Sequence, residues 1–256
     1  MDIKQSVAVI TGGASGLGRA TAEALVARGG KVMIVDRDKA RGEEAAAELG
    51  ELAAFVETDV TKEDSVKAAI EATQAQFGTI HVCINCAGVG SAMKTVGRDN
   101  VPHDLGVFQT VLAINLIGTF NVLRLAAVAM ADNQPGEDGE RGVIINTASV
   151  AAFDGQVGQV AYAASKAGLV GMTLPVSRDL AQLGVRCNTI APGIFNTPLM
   201  NAAPDKVKEP LIAMTQFPKR LGHPPEYAAL VCHMIENSFL NGETIRLDGA
   251  IRMQPR

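Results

Sequence analysis

Tyr162 and Lys166 are four residues apart in a segment with a helical pattern. This spacing places the phenol and the ammonium on the same side of one helical turn. A free phenol titrates at about 10 and accepts a proton poorly at neutral pH, but a positive charge a few ångströms away lowers its pKa. The pair can therefore form a tyrosine base. An exposed lysine beside a half-buried tyrosine has the same spacing, so other residues must show whether this pair is a catalytic base.

A glycine-rich segment joins the first predicted strand to the first predicted helix. A strand over residues 7–10 runs into Thr11-Gly-Gly-Ala-Ser-Gly-Leu-Gly, and a helical pattern covers residues 18–28. Glycines allow a pyrophosphate to approach closely, and a helix N-terminus offers unpaired N–H groups and a positive dipole end. The order strand, loop and helix predicts a dinucleotide site.

The second predicted strand ends at Asp36. An acid at this position can accept hydrogen bonds from both adenosine ribose hydroxyls, and it repels a 2′-phosphate. Arg37 comes next and would suit a phosphate, but the alternation of side chains along a strand predicts that it points away. The sequence therefore favours NAD over NADP.

The elements that must position these residues follow from a regular alternation. Seven short apolar runs begin near residues 7, 31, 53, 81, 142, 185 and 243, and helical patterns separate them. Nearly uninterrupted apolar strands predict one doubly wound parallel α/β sheet, a Rossmann fold with helices on both faces. Right-handed crossovers would gather the carboxyl ends of the strands at one edge, where ligands bind.

Residues 198–225 interrupt this alternation and are rich in proline. Leu211, Met214 and Phe217 have the spacing of one helical face, which predicts a short substrate lid. Together with Leu199 and Met200 they could cover a narrow apolar pocket, although core or subunit contacts would use the same residue types.

Length and composition indicate one domain. The chain has 256 residues, and no Pro/Gly/Ser-rich linker divides it, so we expect residues 1–256 to form a single dinucleotide-binding catalytic domain. Hydrophobic residues make up 47% and charged residues 20%, which is typical of a well-buried core.

Charge and hydrophobicity narrow the partners and the compartment. The net charge of -4, without a sustained basic run, predicts no nucleic-acid partner. We find no apolar stretch of the roughly 18 residues that a bilayer requires and no room for a targeting segment, so we expect no membrane association. These features predict a cytoplasmic protein, or one of the mitochondrial matrix if the sequence is a mature organellar form.

The four cysteines are Cys83, Cys86, Cys187 and Cys232. Cys83 and Cys86 have the spacing of a redox pair, but residues three apart on a strand point to opposite faces. We predict structural thiols and no metal site, because further ligands at metal spacing are missing.

Further motifs stand at the ends of the later predicted strands and in the helices that follow them. They are Asp59-Val60, Asn85-Cys-Ala-Gly88, Asn115, Ser149 and Pro192-Gly193. With the glycine loop and Tyr162-x-x-x-Lys166, the last four of these motifs resemble the short-chain dehydrogenase/reductase family over the whole chain, in the family's order and spacing. One difference is Cys86, where most members carry asparagine.

This resemblance implies a role for each motif. Ser149 and Tyr162 would bind the substrate oxygen, with Tyr162 exchanging its proton, and Lys166 would lower the phenol pKa and bind the nicotinamide ribose. Asn115 would support a water path from Lys166 to solvent, or it is a satisfied polar residue of a helix. The implied cofactor-binding residues are Gly12, Ser15, Gly16, Leu17, Gly18, Asp36, Asp59, Val60, Cys86, Ala87, Gly88, Tyr162, Lys166, Pro192, Gly193, Phe195 and Thr197.

Segments 143–159, 171–175 and 239–253 resemble a subgroup of the family, the type II short-chain 3-hydroxyacyl-CoA dehydrogenases. That subgroup also has cysteine at the position of Cys86. The resemblance implies NAD-dependent oxidation of (S)-3-hydroxyacyl-CoA to 3-oxoacyl-CoA, in fatty-acid or branched-chain amino-acid breakdown, by a homotetramer. The alternatives are a dehydrogenase of steroids or other secondary alcohols, a 3-oxoacyl reductase, and a nucleotide-binding scaffold or redox sensor without catalysis. The tail 248–253 would meet a partner tail.

Overall fold

A computed structural model, which describes residues 1–201 and 204–255, contains one seven-stranded parallel sheet. The strand order is β3-β2-β1-β4-β5-β6-β7, which confirms the predicted doubly wound sheet. The strands are β1 Val7–Thr11, β2 Lys31–Asp36, β3 Ala53–Glu57, β4 Val82–Asn85, β5 Gly142–Thr147, β6 Val185–Pro192 and β7 Thr244–Leu247. The strand order reverses between β1 and β4, and such a switch point is where an open α/β sheet forms a ligand crevice.

Helices cover both faces of this sheet. They are α1 Gly16–Ala27, α2 Lys39–Leu49, α3 Glu63–Phe77, α4 Leu105–Leu112, α5 Thr119–Ala131, α6 Val160–Leu180, α7 Pro198–Asn201, α8 Asp205–Met214 and α9 Pro224–Glu236. Two single turns, Ala113–Gly118 of π type and Ala181–Leu183 of 3-10 type, continue α4 and α6.

The central strands β1, β4, β5 and β6 are buried on both faces of the sheet, whereas the outer strands β3 and β7 are half-buried. Ile10, Ile34 and Ile145 pack with α1, α2 and α9 in one core cluster. Val9 and Ile144 belong to a second cluster with α3, α5 and α6. This is why the strands read as continuous apolar runs rather than as alternating ones.

The helical region from α4 to α5 corrects one expectation. Leu105–Ala131 is continuous through the π turn and has a window of mean hydropathy 1.8, so it is long and apolar enough by composition to cross a membrane. The expectation that no apolar stretch reaches bilayer length was therefore wrong. In the structure half of that window is buried, where it packs on α3, α6, β4 and β5.

The predicted lid divides into shorter parts. Helices α7 and α8 lie within it, a turn with a cis Phe217–Pro218 bond follows, and α9 begins at Pro224. The chain then enters β7, and its last described residues, 248–255, leave the sheet and turn back. The lid and this tail both lie at the carboxyl ends of β6 and β7.

Candidate functional site

A cavity of about 760 Å³ opens along the carboxyl edge of the sheet. All of the residues predicted to bind the cofactor, together with Ser149, line it, and Asn115 is the one predicted site residue that does not appear among its walls. Residues from seven separate segments therefore meet at one place. The parallel sheet explains this, because every β-strand delivers its following loop to the same edge.

The glycine loop forms the floor beneath the switch point. Gly12 has φ +65° and Gly16 φ +56°, conformations that side chains rarely adopt. A Cβ at Gly18 would collide with the Gly12 carbonyl oxygen, so only glycine lets α1 start this close to β1. Ser15 precedes α1 without a side-chain capping bond, which leaves the first N–H groups of the helix facing the cavity. This cradle has the chemistry that a pyrophosphate requires.

Asp36 is held rigidly at the end of β2. Its Oδ2 accepts from the Ala14 N–H at 3.2 Å and its Oδ1 from the Asp38 N–H at 3.1 Å. Arg37 also lines the cavity, so the prediction that it points away was wrong. The reason is that Arg37 lies beyond the last residue of β2, where strand alternation no longer fixes its direction. Asp36 and Arg37 therefore both line the cavity at the end of β2.

Asp59 and Val60 follow β3 and form the adjoining wall. The Thr61 hydroxyl donates to Asp59 Oδ1 at 2.7 Å, and this bond is the main reason that the pKa of Asp59 is lowered. The Val60 carbonyl oxygen accepts from the Asn121 side chain of α5 at 3.0 Å. The wall is thus fixed to the neighbouring helix. Across the floor, Cys86, Ala87 and Gly88 leave β4 and line the same end.

Tyr162 and Ser149 face each other across the middle of the cavity. Desolvation at the cavity wall raises the pKa of the Tyr162 phenol, and a hydrogen bond with the Ser149 hydroxyl opposes that rise. The Ser149 Oγ also accepts from the Ala151 N–H at 3.1 Å, which fixes its rotamer. The two oxygens converge on one point, as binding of a single substrate oxygen requires.

Lys166 lies behind this pair, 5% exposed. Its Nζ donates to the Thr147 carbonyl oxygen at 2.7 Å and lies 5.8 Å from the centre of the Tyr162 ring. Burial lowers the pKa of the Lys166 ammonium to about 8. The expectation that Lys166 lowers the phenol pKa is not met in this arrangement, because burial outweighs attraction at that separation and the lysine points to Thr147.

Asn115 lies within the π turn and is fully buried. Its Oδ1 accepts from the Val89 N–H at 2.8 Å, and its Nδ2 donates to the Val89 carbonyl oxygen at 2.9 Å and to Ser165 at 3.1 Å. These bonds clamp the loop after β4 to α6. The alternative of a satisfied polar residue fits this geometry, and a role in a water path stays a prediction.

The segment after β6 forms the remaining walls. Pro192, Gly193, Phe195 and Thr197 line the cavity, and Phe195 is 7% exposed with its ring edge-on to Tyr227. From the lid, Met200 and Leu211 also line it. Phe217 is 83% exposed, so its predicted place over the substrate was wrong, because it lies in the turn after α8. The prediction for the Leu199 side chain falls outside the described residues.

Comparison with known proteins fixes the family. The sequence profile of the short chain dehydrogenases matches residues 6–208. A relative from Bos taurus named 3-hydroxyacyl-CoA dehydrogenase type-2 is 57% identical over 254 residues, which cover 99% of this chain and 97% of the relative. A relative of the same name from Homo sapiens is 56% identical with the same coverage.

The chain belongs to the short-chain dehydrogenase family. A crystal structure described as 3-hydroxyacyl-CoA dehydrogenase type-2 from Mycobacterium avium superposes with a TM-score of 0.95 at 45% identity, covering 99% of this chain and 98% of that chain. The family consists of oxidoreductases that use a nicotinamide dinucleotide, so this protein is an oxidoreductase with the predicted Rossmann fold. Among residues 1–201 and 204–255, no cluster of three His, Cys, Asp or Glu side chains could hold a metal ion.

Sequence reasoning about this dehydrogenase missed a buried polar chain behind Lys166. The Thr147 hydroxyl, on the residue whose carbonyl oxygen accepts from Lys166, hydrogen-bonds the Tyr227 hydroxyl at 2.7 Å and donates to Cys86 Sγ at 3.4 Å. Tyr227 belongs to α9, is fully buried, and lies 80 residues from Thr147. All four cysteines are free thiols, and desolvation raises the pKa of Cys86, as expected of structural rather than redox cysteines.

Sequence reasoning also missed Gln156, Gln159 and Met253, which line the cavity beside the Ser149 and Tyr162 pair. The first two precede α6 in the segment that carries Ser149, so their place between two predicted catalytic residues was an available signal. Met253 lies in the tail and carried no such signal.

Proposed function

We propose that this dehydrogenase oxidises (S)-3-hydroxyacyl-CoA to 3-oxoacyl-CoA with NAD as the cofactor. The observation that carries the proposal is the meeting of Ser149, Tyr162 and Lys166 in one cavity whose far wall is the apolar lid. An alcohol beside a flexible acyl chain needs this combination of a polar centre and apolar cover. The full-length relatives named 3-hydroxyacyl-CoA dehydrogenase type-2 support the substrate class.

The chemistry of the residues at the proposed cofactor end matches the parts of NAD. The glycine loop and the open N-terminus of α1 suit the pyrophosphate, and a fixed carboxylate at Asp36 suits two ribose hydroxyls. Arg37 lies at the same end of the cavity. It could bind a 2′-phosphate only beside the Asp36 carboxylate, and that carboxylate repels the phosphate. When bound, the nicotinamide supplies the hydride acceptor for oxidation of the substrate carbon.

The chain itself handles the proton. In the oxidation direction the Tyr162 oxygen takes the proton of the substrate hydroxyl, and Ser149 donates a hydrogen bond to the same substrate oxygen. A hydrogen bond aimed at that oxygen strengthens as negative charge develops. With a pKa of about 8, Lys166 is mostly cationic at neutral pH, and the positively charged ring of bound NAD would add a second charge that favours the phenolate.

Purified protein should oxidise NADH when acetoacetyl-CoA is added, followed by absorbance. We expect kcat/KM with NADH to exceed that with NADPH by at least about tenfold, and acetoacetyl-CoA to be preferred to a steroid ketone and to an unrelated small ketone. Turnover of acetoacetyl-CoA no better than that of the unrelated ketone would contradict the substrate proposal. A preference for NADPH would contradict the assignment of Asp36.

We also propose a homotetramer. On the long α4–α5 region, the side chains of Ile117, Phe120 and Val128 are 59%, 48% and 68% exposed. Apolar surface in contact with water is unfavourable, and a contact between subunits would bury it. Light scattering of the purified protein should give four times the mass of one chain, and a monomer would contradict this. Free thiols fit a reducing compartment, so we propose the cytoplasm or the mitochondrial matrix, which cell fractionation would decide.

A further inference from the structure

The described chain beyond β7 turns back toward the cavity rather than leaving the protein. The turn is built by Asp248, Gly249 and Ala250, whose last two residues have φ +57° and φ +61°. Asp248 Oδ1 accepts from the Ala250 N–H at 2.9 Å and stabilises this conformation. A Cβ at Gly249 would lie 2.7 Å from Thr215 Cγ2, so glycine is required there. The reversal is therefore built into the fold.

The turn also holds the base of the lid. The Gly249 carbonyl oxygen accepts from the backbone N–H of Gln216 at 3.0 Å and of Phe217 at 3.3 Å. Both donors come directly after α8. The lid helix that supplies Leu211 to the cavity is thus anchored to the tail at its C-terminal end.

Arg246 ties the tail to the segment that carries Ser149. Its guanidinium pairs with Asp154 at 2.6 Å and with Asp248 at 2.7 Å, and it donates to the Ile251 carbonyl oxygen at 3.0 Å. It also lies 5.1 Å from the centre of the Phe153 ring. One side chain of β7 therefore fixes both the tail and the β5–α6 loop.

Beyond the turn the tail crosses the substrate end of the cavity. The Pro255 carbonyl oxygen accepts from the Val157 N–H at 3.0 Å, and the Gln254 carbonyl oxygen accepts from Gln156 Nε2 at 2.9 Å. On the other side the Gln254 N–H approaches Met214 Sδ at 3.3 Å. The tail thus spans the gap between the β5–α6 loop and α8.

Alternate residues of the tail face opposite ways. Ile251 is fully buried and Met253 lines the cavity, whereas Arg252 and Gln254 are exposed. In an extended chain, residues two apart share a face. Ile251 anchors one face of the tail in the core. Met253, two residues later, lies on the same face and therefore points at the cavity.

Met253 lies at the end of the cavity opposite the cofactor's ribose. Asp36 ends β2, at one side of the sheet, whereas the tail follows β7 at the other. The residues that approach the tail, Gln156 and Met214, belong to the Ser149 segment and the lid. Neither residue is among those predicted to bind the cofactor, so the group next to Met253 is assigned to the substrate.

We propose that Met253 is a specificity-determining residue, the wall that limits the size of the group attached to the reacting carbon. This rests on the proposed function for the identity of that group, an acyl chain. The thioether is apolar and fills the space beside a short chain, so a longer chain must displace it. The size limit is set by the tail of the same chain, through the Ile251 anchor and the Gly249 turn.

The test compares Met253→Phe and Met253→Ala with Gln254→Ala, a matched control on the opposite face of the same segment. Each purified protein is assayed with 3-oxoacyl-CoA esters of four, six and ten carbons. One methylene in an apolar pocket changes discrimination by about tenfold or more. We expect Met253→Ala to raise the ten-carbon to four-carbon ratio of kcat/KM by about tenfold and Met253→Phe to lower it, while Gln254→Ala leaves it unchanged.

The outcomes separate this proposal from the function on which it rests. If the unaltered protein turns over the four-carbon ester but all three variants keep its chain-length profile, Met253 is not the wall. If the unaltered protein does not turn over CoA esters, the function fails, and the same variants are then compared on a series of 2-alkanones of increasing length. A change of profile there, with NADH affinity unaltered, still supports the wall, and an unchanged profile overturns it.

Discussion

Strand ends and the glycine loop form the walls of the cavity beside β2 and β3, whereas a lid helix and the returning tail form those beside β6 and β7. At the first end some polar contacts are local in sequence, such as Asp36 with Asp38 or Asp59 with Thr61, and others join separate segments, such as Val60 with Asn121. At the second end they join distant segments, such as Asp154 with Arg246, 92 residues apart. The end proposed to bind the cofactor depends on backbone shape, and the end proposed to bind the substrate depends on remote side chains.

This difference explains why one end was predicted in detail and the other was not. A short motif carries its own conformation, since glycines and a helix start define the loop without help from elsewhere. A wall made of separate segments exists only after the segments pack. Mutations at the two ends should therefore act on different quantities.

The largest loss of activity is expected from a change at Tyr162, which lies between the two ends of the cavity. Tyr162→Phe removes the only oxygen that we propose accepts the substrate proton, and general acid–base catalysis typically contributes about 10²–10⁴-fold. We expect kcat to fall by about three orders of magnitude while the Kd for NADH, measured by fluorescence, stays within about threefold. Unchanged turnover would reject Tyr162 as the proton-transfer group.

At the cofactor end, backbone shape should determine stability. Gly12→Ala places a side chain at φ +65° and 2.8 Å from the Ala87 nitrogen, so we expect a loss of about 3 kcal/mol in the free energy of unfolding. Gly16→Ala is the matched control, because its Cβ would meet nothing closer than 3.6 Å. It should cost about 1 kcal/mol, from the left-handed conformation alone. Equal losses in urea denaturation would contradict the argument from close approach.

A side chain at the same end should change cofactor choice. Asp36→Asn removes the charge that we propose repels a 2′-phosphate, and a hydrogen bond to a charged group contributes about 1.5–3 kcal/mol. We expect the kcat/KM ratio of NADPH to NADH to rise by about tenfold or more. Asp38→Asn removes the same charge from an exposed helix cap and should leave the ratio unchanged. The assignment fails if both variants shift the ratio equally.

At the substrate end, only side chains inside the cavity should affect binding. Leu211 is 8% exposed and lines the cavity, so Leu211→Ala should lower kcat/KM for acetoacetyl-CoA by roughly tenfold. Phe217→Ala alters a ring that is 83% exposed and should change kcat/KM by less than about twofold. A larger effect at Phe217 would mean that the lid closes over the substrate by a movement that brings this ring inward.

The smallest expected effect concerns the charge of Lys166. Its pKa of about 8 in the folded protein lies below the unfolded value of 10.5, so the unfolded chain binds more protons between these values and stability rises with pH there. Below pH 8 the buried ammonium carries its full desolvation cost. Lys166→Met lacks this group, so its stability advantage over the unaltered protein should shrink by about 1 kcal/mol from pH 7 to pH 9 in urea denaturation. A gap that does not shrink would contradict the lowered pKa.

Most of the fold could be predicted, and so could most of the residues that line the cavity beside the glycine loop. Each predicted strand is present within a few residues, because strands covered by helices on both faces are largely apolar. The errors lie where local rules stop. Arg37 comes just after a strand, Phe217 lies in a turn, and α4 continues into α5 through a π turn that makes one long apolar helix.

By itself the sequence determined the sheet, the glycine loop and the positions of Ser149, Tyr162 and Lys166, since periodicity and motif spacing are local properties. Only the tertiary structure decided which way Lys166 points, what the buried Asn115 holds, and that Tyr227 and Met253 belong to the site. Those facts depend on contacts between segments as much as about 100 residues apart, such as Gln156 with Gln254, which are separated by 98. The packing of the whole chain selects such pairs, and no short stretch of residues encodes them.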